Sequence, residues 1–306
     1  MKKVAIVTDS NAGIRQEEAK ELGIFVLPMP FTIDDQTYYE DINLTQEEFF
    51  EKQISGAEIF TSQPVVGNVK ELWDQILKDY DEIVHIPMSS GLSGSCQTAC
   101  MLAQEYDNRV FVVDSQRISV TQKYDVIDAK RMADEGKSGQ EIYDILTENK
   151  LNASIYITVN TLDYLKKGGR ITPAVALLGG MLKIKPILQI QGEKLDSFAK
   201  TRTMAKGTKI MKEAIAKDIE ERFGNDYHNV HICVAYTYDQ EPALALKKEL
   251  EEMYPGEEII CDSLSLSVSC HIGPHSLAIA ICKKILIRES FLLGYNSFDF
   301  FSFDSL

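Results

Sequence analysis

Strand-like runs alternate with helix-like segments along the first 150 or so residues, and this alternation restricts the fold more than any other feature. Val4, Ala5, Ile6 and Val7 form a buried-strand run that stops at Asp9 and Ser10. Residues 15–22 read as a short polar helix closed by Gly23, and residues 24–28 as the next strand. Thr45 opens a helix with Glu48, three residues on, as its capping-box partner. Val65, Val69, Leu72, Trp73, Ile76 and Leu77 recur at helical spacing. Residues 83–86 and 110–113 are strands, with a helix through Cys96, Cys100 and Ala103 between them. Strands separated by helices of about 10–15 residues need crossover connections, and therefore a parallel sheet.

The second half changes character. Residues 155–159 read as a strand and 161–167 as a short helix. Residues 182–190 and the segment around Phe198 read as strands with no long helix between them. A long amphipathic helix over 204–223 is followed by a strand over 230–236, a helix over 242–253 and a strand over 258–261. This order predicts an α/β chain of two domains: a parallel-sheet domain over 1–152 and an α+β domain over 153–284. The remainder, 285–306, carries five of the 13 phenylalanines and no clean period. It reads as a cover for a core edge, as a self-association segment, or as an artefactual extension.

Charge narrows the function. Thirty-two basic against 46 acidic residues leave a net charge of −14. Such a surface repels phosphate backbones, so nucleic acid is not an expected partner. No run reaches the roughly 18 apolar residues of a membrane span, which leaves room only for transient membrane contact. The six cysteines form no CxxC pair, and the N-terminus lacks the long apolar core of a signal peptide. A cytoplasmic protein is expected.

Three familiar enzyme signals fail. Gly136-Lys137-Ser138 lacks the upstream glycine of a phosphate loop, where Arg131 stands. Gly91-Leu92-Ser93-Gly94-Ser95 is not a nucleophile elbow, because Ser95 occupies the second glycine's place. No GxGxxG occurs, and His228 and His231 have no third ligand nearby in sequence, so neither cofactor nor metal is expected. What remains is a set of small hydroxyl residues at predicted strand ends. They are Thr8-Asp9-Ser10, Thr61-Ser62-Gln63-Pro64, the glycine-interrupted serines of 89–95, and Asp114-Ser115. Carboxyl ends of parallel strands are where open α/β sheets bind ligands, and free amides with hydroxyls favour an anion. Each is an ordinary cap or turn when taken alone. A cationic group follows in Arg170, Lys183, Lys185, Lys200 and Arg202. Arginine forks suit carboxylates and phosphates better than lysines do.

Taken in order, TDS (8–10), TSQP (61–64), SSGLSGS (89–95), VDS (113–115), LDYLKKGGRI (162–171), LGGMLKIKPIL (178–188), RT (202–203) and HIGP (271–274) resemble the DegV family over about residues 1–284. His275 departs from the family's Gly-Pro-Gly ending. The resemblance implies two α/β domains with a long-chain fatty acid held between them. It further implies a non-enzymatic, fatty-acid-binding subunit of a bacterial fatty acid kinase system. That subunit presents the acyl carboxylate to a separate ATP-dependent kinase, which makes the acyl phosphate, and it has no nucleotide site of its own. Carried over by position, Thr61 and Ser93 would hold the carboxylate, with His271 close by. Ser62, Ser95, Asp9 and Ser10 would shape the ligand site. Arg170 and Arg202 would stand at the head group, where a partner could also be met. Leu177, Leu178, Met181, Leu182, Ile184, Ile187 and Ile190 are candidates for the tunnel wall. Two other readings stay open: an acyl-ester hydrolase using Ser93 and His271, and a binding module for another small anion such as a sugar phosphate.

Overall fold

In the computed structural model, described over residues 2–170, 172 and 184–285, the expected parallel sheet is present. It contains β1 (Val4–Asp9), β2 (Phe25–Leu27), β6 (Glu82–Ile86) and β7 (Val110–Val112) in the order β2-β1-β6-β7. Period two sorts β1 between the two faces. Val4 and Ile6 pack towards α1 (Gln16–Leu22), α5 (Ser119–Asp134) and α6 (Gly139–Asn149). Ala5 and Val7 pack towards α3 (Val66–Ile76) and α4 (Ser95–Ala103).

Four elements between residues 31 and 61 build a small arm. The strands β3 (Phe31–Ile33), β4 (Gln36–Tyr38) and β5 (Ile59–Thr61) pair antiparallel in the order β4-β3-β5. Helix α2 (Gln46–Ile54) starts at the expected Thr45–Glu48 capping box. Phe31, Phe49 and Phe50 of the arm pack on Leu266 and Cys270, which lie on the late helix α10 (Leu266–Ile272).

The second half forms a six-stranded mixed sheet from β8 (Ala153–Thr158), β9 (Lys185–Ile190), β10 (Leu195–Thr201), β11 (Val230–Tyr236), β12 (Ile260–Ser263) and β13 (Leu277–Lys283). The order is β10-β9-β8-β13-β11-β12, and only the β11–β12 pair runs parallel. Helices α8 (Met204–Arg222) and α9 (Gln240–Met253) cover one face. The short helix α7 (Asp163–Gly168) lies on the other side, beside α10.

Helix α5 packs against strands of both large sheets. It is buried on several sides, and charges on it are paired. Asp125 accepts from Arg117 at 2.7 Å, and Lys123 bonds Glu18 at 2.8 Å and Asp262 at 2.9 Å. Burial pushes the Asp125 carboxyl up to about 6, against the pull of Arg117. No described helix is long and apolar enough to cross a membrane. Residues 286–306 lie outside the described residues, and the chain before them is tied to α5, where Arg131 Nη2 donates to Ile285 O at 2.6 Å.

Candidate functional site

The face of the six-stranded sheet that helices α8 and α9 leave uncovered borders a cavity with about 930 Å³ of empty space, part of it open to solvent. Its floor comes from five strands: Ile155 and Ile157 of β8, Ala235 of β11, and Ala278 and Ala280 of β13, with Ile190 of β9 and Leu195 of β10 beside them. Met29, Met88, Ile118 and Val120 from the first half close it from the opposite side. Most of this lining is apolar, and polar groups gather towards a few positions, as in sites that hold an amphipathic ligand.

At one of these positions β5, α10 and α7 converge. Thr61 ends β5, and its Oγ1 lies 2.9 Å from His271 Nε2 on α10. Burial first, and the nearby Arg170 charge second, push the His271 imidazole down to about 4, so it is neutral at pH 7. Its Nδ1 is buried without a hydrogen-bond partner among the described residues and packs against Gly168. A side chain at Gly168 would place its Cβ 1.9 Å from that nitrogen, so only glycine admits the ring here. Arg170 is exposed, lines the cavity and donates through Nη1 to Gly168 O at 2.6 Å.

Ser93 enters from the loop between β6 and α4 and also lines the cavity. Its Oγ accepts from Ser95 N at 3.2 Å. The loop is held from three sides. Asp114 accepts from Ser90 N at 3.1 Å and from Ser90 Oγ at 2.6 Å. Asp9 accepts from Met88 N at 2.8 Å and Asn11 N at 3.0 Å. Gly91 abuts Glu193, where an added Cβ would fall 2.4 Å from the carbonyl oxygen. Burial raises the Asp9 carboxyl, and its hydrogen bonds only partly offset this.

The expected site residues thus divide. Thr61, Ser62, Ser93, Arg170 and His271 line the cavity. Asp9, Ser10 and Ser95 lie outside its lining; Asp9 anchors the serine loop, and Ser10 Oγ accepts from Met29 N at 3.0 Å. Arg202 is exposed and is also outside the lining. Of the expected wall residues, Ile190 lines the cavity, Ile184 does not, and Ile187 packs on the opposite face of the sheet. Leu177, Leu178, Met181 and Leu182 lie outside the described residues. Lining residues that the motifs did not announce include Asn11, Ser119 and Ser267. Asn11 follows TDS directly, and its Oδ1 accepts from Ser267 Oγ and, at 3.3 Å, from Ser265 Oγ.

His228 and His231 serve separate surroundings. His228 Nδ1 lies 2.8 Å from Glu257, while His231 stacks on Tyr124 at 3.7 Å. Among the described residues no group of three metal-binding side chains occurs. Ser138, in the phosphate-loop look-alike, caps α6 and bonds Glu141.

The chain is 30% identical to protein DegV of Bacillus subtilis over 284 residues, covering 92% of this chain and 99% of the relative. It is 33% identical to a DegV domain-containing protein of Clostridium perfringens over 288 residues, covering 91% and 97%. The fold matches a fatty-acid-binding DegV family protein of Thermus thermophilus with a TM-score of 0.84 at 28% identity, covering 93% of this chain and 100% of that one. DegV of Bacillus subtilis, a fatty acid binding protein, matches with a TM-score of 0.83 at 28% identity and the same coverage. The model of the family described as "Uncharacterised protein, DegV family" matches residues 3–284, and the chain belongs to that family.

Proposed function

We propose that this protein binds one long-chain fatty acid, with residues 1–152 and 153–284 as the two lobes around the acyl tail. The observation that carries this reading is the cavity itself: an apolar wall with a hydroxyl–imidazole cluster at one end and an exposed arginine beside it. Each buried methylene contributes about 0.8 kcal/mol. A tail of about fifteen would supply on the order of 12 kcal/mol before entropic costs. The head group therefore needs orientation more than affinity.

His271 supplies that orientation through Thr61. A buried N–H without an acceptor costs more than a bare nitrogen lone pair. The unpartnered Nδ1 is accordingly the unprotonated nitrogen, and Nε2–H donates to Thr61 Oγ1. The Thr61 hydroxyl hydrogen is then free to donate to an acyl carboxylate, with Ser93 Oγ as a second donor. Arg170 adds positive charge without full burial. We further propose that the carboxylate held in this way is presented to a separate ATP-dependent kinase, which converts it to an acyl phosphate in the cytoplasm.

The geometry speaks against an acyl-ester hydrolase. His271 pairs with Thr61 rather than Ser93, and among the described residues no carboxylate orients its Nδ1. The mostly apolar wall likewise suits an acyl tail better than a sugar phosphate. The test is acyl phosphate formation with a bacterial fatty acid kinase, ATP and the lipid-loaded protein. Thr61→Ala with Ser93→Ala is expected to abolish product. Unchanged product formation in that double variant would overturn the head-group assignment.

A further inference from the structure

Helix α10 carries Ser267, Val268, His271 and Ile272 of the cavity lining, yet its own N-cap, Ser265, makes no side-chain cap. The first amide is satisfied from the other end of the chain. Glu40 Oε2 accepts from Leu266 N at 2.8 Å. Gln46 Nε2 donates to Glu40 Oε1 at 3.1 Å, and to Ser263 Oγ at 2.9 Å just before the helix. Further along, Gln53 Nε2 donates to Ser269 O at 3.0 Å. The arm thus holds α10 at its start, its middle and, through Thr61, at His271.

We infer that Glu40 is a positioning residue of the ligand site, the cap by which the arm holds the helix that carries His271. Thr61 and His271 stand on opposite sides of this joint, so their pairing depends on the joint being closed. The carboxyl end of Glu40 is turned inward against the helix. The charged and titratable groups around it are Arg15 and Asp41 on its own side and Cys270 on α10. Burial, outweighing the two hydrogen bonds, raises the Glu40 carboxyl from 4.5 to about 7. The closed joint takes up a proton more readily than an opened, hydrated one, so it is tightest below about 4.5 and loosens as pH rises from there through about 7. Glu40→Gln keeps an acceptor for Leu266 N and removes the charge; Gln46 Nε2 loses its acceptor on residue 40 but keeps Ser263 Oγ, so the joint stays closed at every pH.

The lipid arm of the test rests on the fatty-acid reading; the other does not. In ligand-free protein, the Leu266 amide and the His271 ring are followed by NMR between pH 6 and 8. His271 itself does not titrate there, so its resonance reports the joint. Both signals are expected to move with a midpoint near neutral in the wild type and to stay flat in Glu40→Gln. Palmitate release is expected to be several-fold faster at pH 8 than at pH 6 in the wild type. In Glu40→Gln it should remain at the slow rate throughout. Flat resonances in the wild type, or the same pH dependence in both proteins, would overturn the inference. Absence of palmitate binding at every pH would instead remove the fatty-acid reading, and the two resonances would still decide the role of Glu40.

Discussion

The two faces of the six-stranded sheet were built from the same strands to opposite ends. On β13, Leu277, Ile279 and Ile281 face a filled core beneath α8 and α9, whereas Ala278 and Ala280 face the cavity. On β11, Ile232 and Val234 are on the filled side and Ala235 is on the empty one. Period-two alternation of large and small side chains therefore makes one face a core and the other a floor. An alanine on a central strand is ordinarily a weak packing choice. Here three of them leave the volume that a ligand can take.

This contrast can be broken from either side. Ala280→Trp should have the largest effect. Filling the floor displaces several methylenes' worth of contact, each about 0.8 kcal/mol, so fatty acid affinity should drop by roughly a hundredfold or more. The fold should survive with a cost of about 1–3 kcal/mol for overpacking. Isothermal titration and thermal melts read the two separately. Ile279→Ala, one residue away, should do the reverse. It should destabilise the protein by about 2–5 kcal/mol, with affinity preserved in the folded fraction.

Changes at the polar end should be smaller in affinity and larger in function. Thr61→Val removes one hydrogen bond to a carboxylate, about 1.5–3 kcal/mol, and leaves the tail contacts intact. Binding should weaken by about one to two orders of magnitude, while acyl phosphate formation with the kinase should be lost. Retention of full kinase turnover would contradict the proposed role of the hydroxyl. A separate effect is expected on acid stability. Burial holds His231 and His271 down to about 4, below the ordinary 6.5. Their folded forms bind protons less readily than the unfolded chain does, so their contribution is lost as pH falls from about 6.5 through 4. Denaturation midpoints measured between pH 7 and 4 should shift less in His231→Gln than in the wild type.

The sequence announced the parallel sheet because its strands are apolar and its helices are periodic. It announced Thr61, Ser93 and His271 only through a joint set of motifs, since each alone is an ordinary cap or turn. The arm stayed hidden because its strands β3, β4 and β5 are three residues long, too short for a period to emerge. Helix α10 was hidden for a related reason. Leu266-Ser-Val-Ser-Cys270 alternates like a strand, and the segment is helical in a setting of distant contacts from Glu40, Gln53 and the arm's phenylalanines. Helix α5 lacked a clean apolar stripe because both sheets bury it, so its inward residues include paired charges such as Asp125 and Lys123. Sequence pattern reports local burial well. It reports poorly on elements whose shape is imposed by residues 200 positions away.

The most direct measurement is native mass spectrometry of the purified wild type beside Ala280→Trp, each followed by solvent extraction. The expected result is a mass excess of one fatty acid on the wild type, released on extraction, and a clean apo mass for the variant. Equal loading of both proteins, or an apo wild type that stays apo after incubation with several fatty acids, would contradict the cavity as the seat of the ligand.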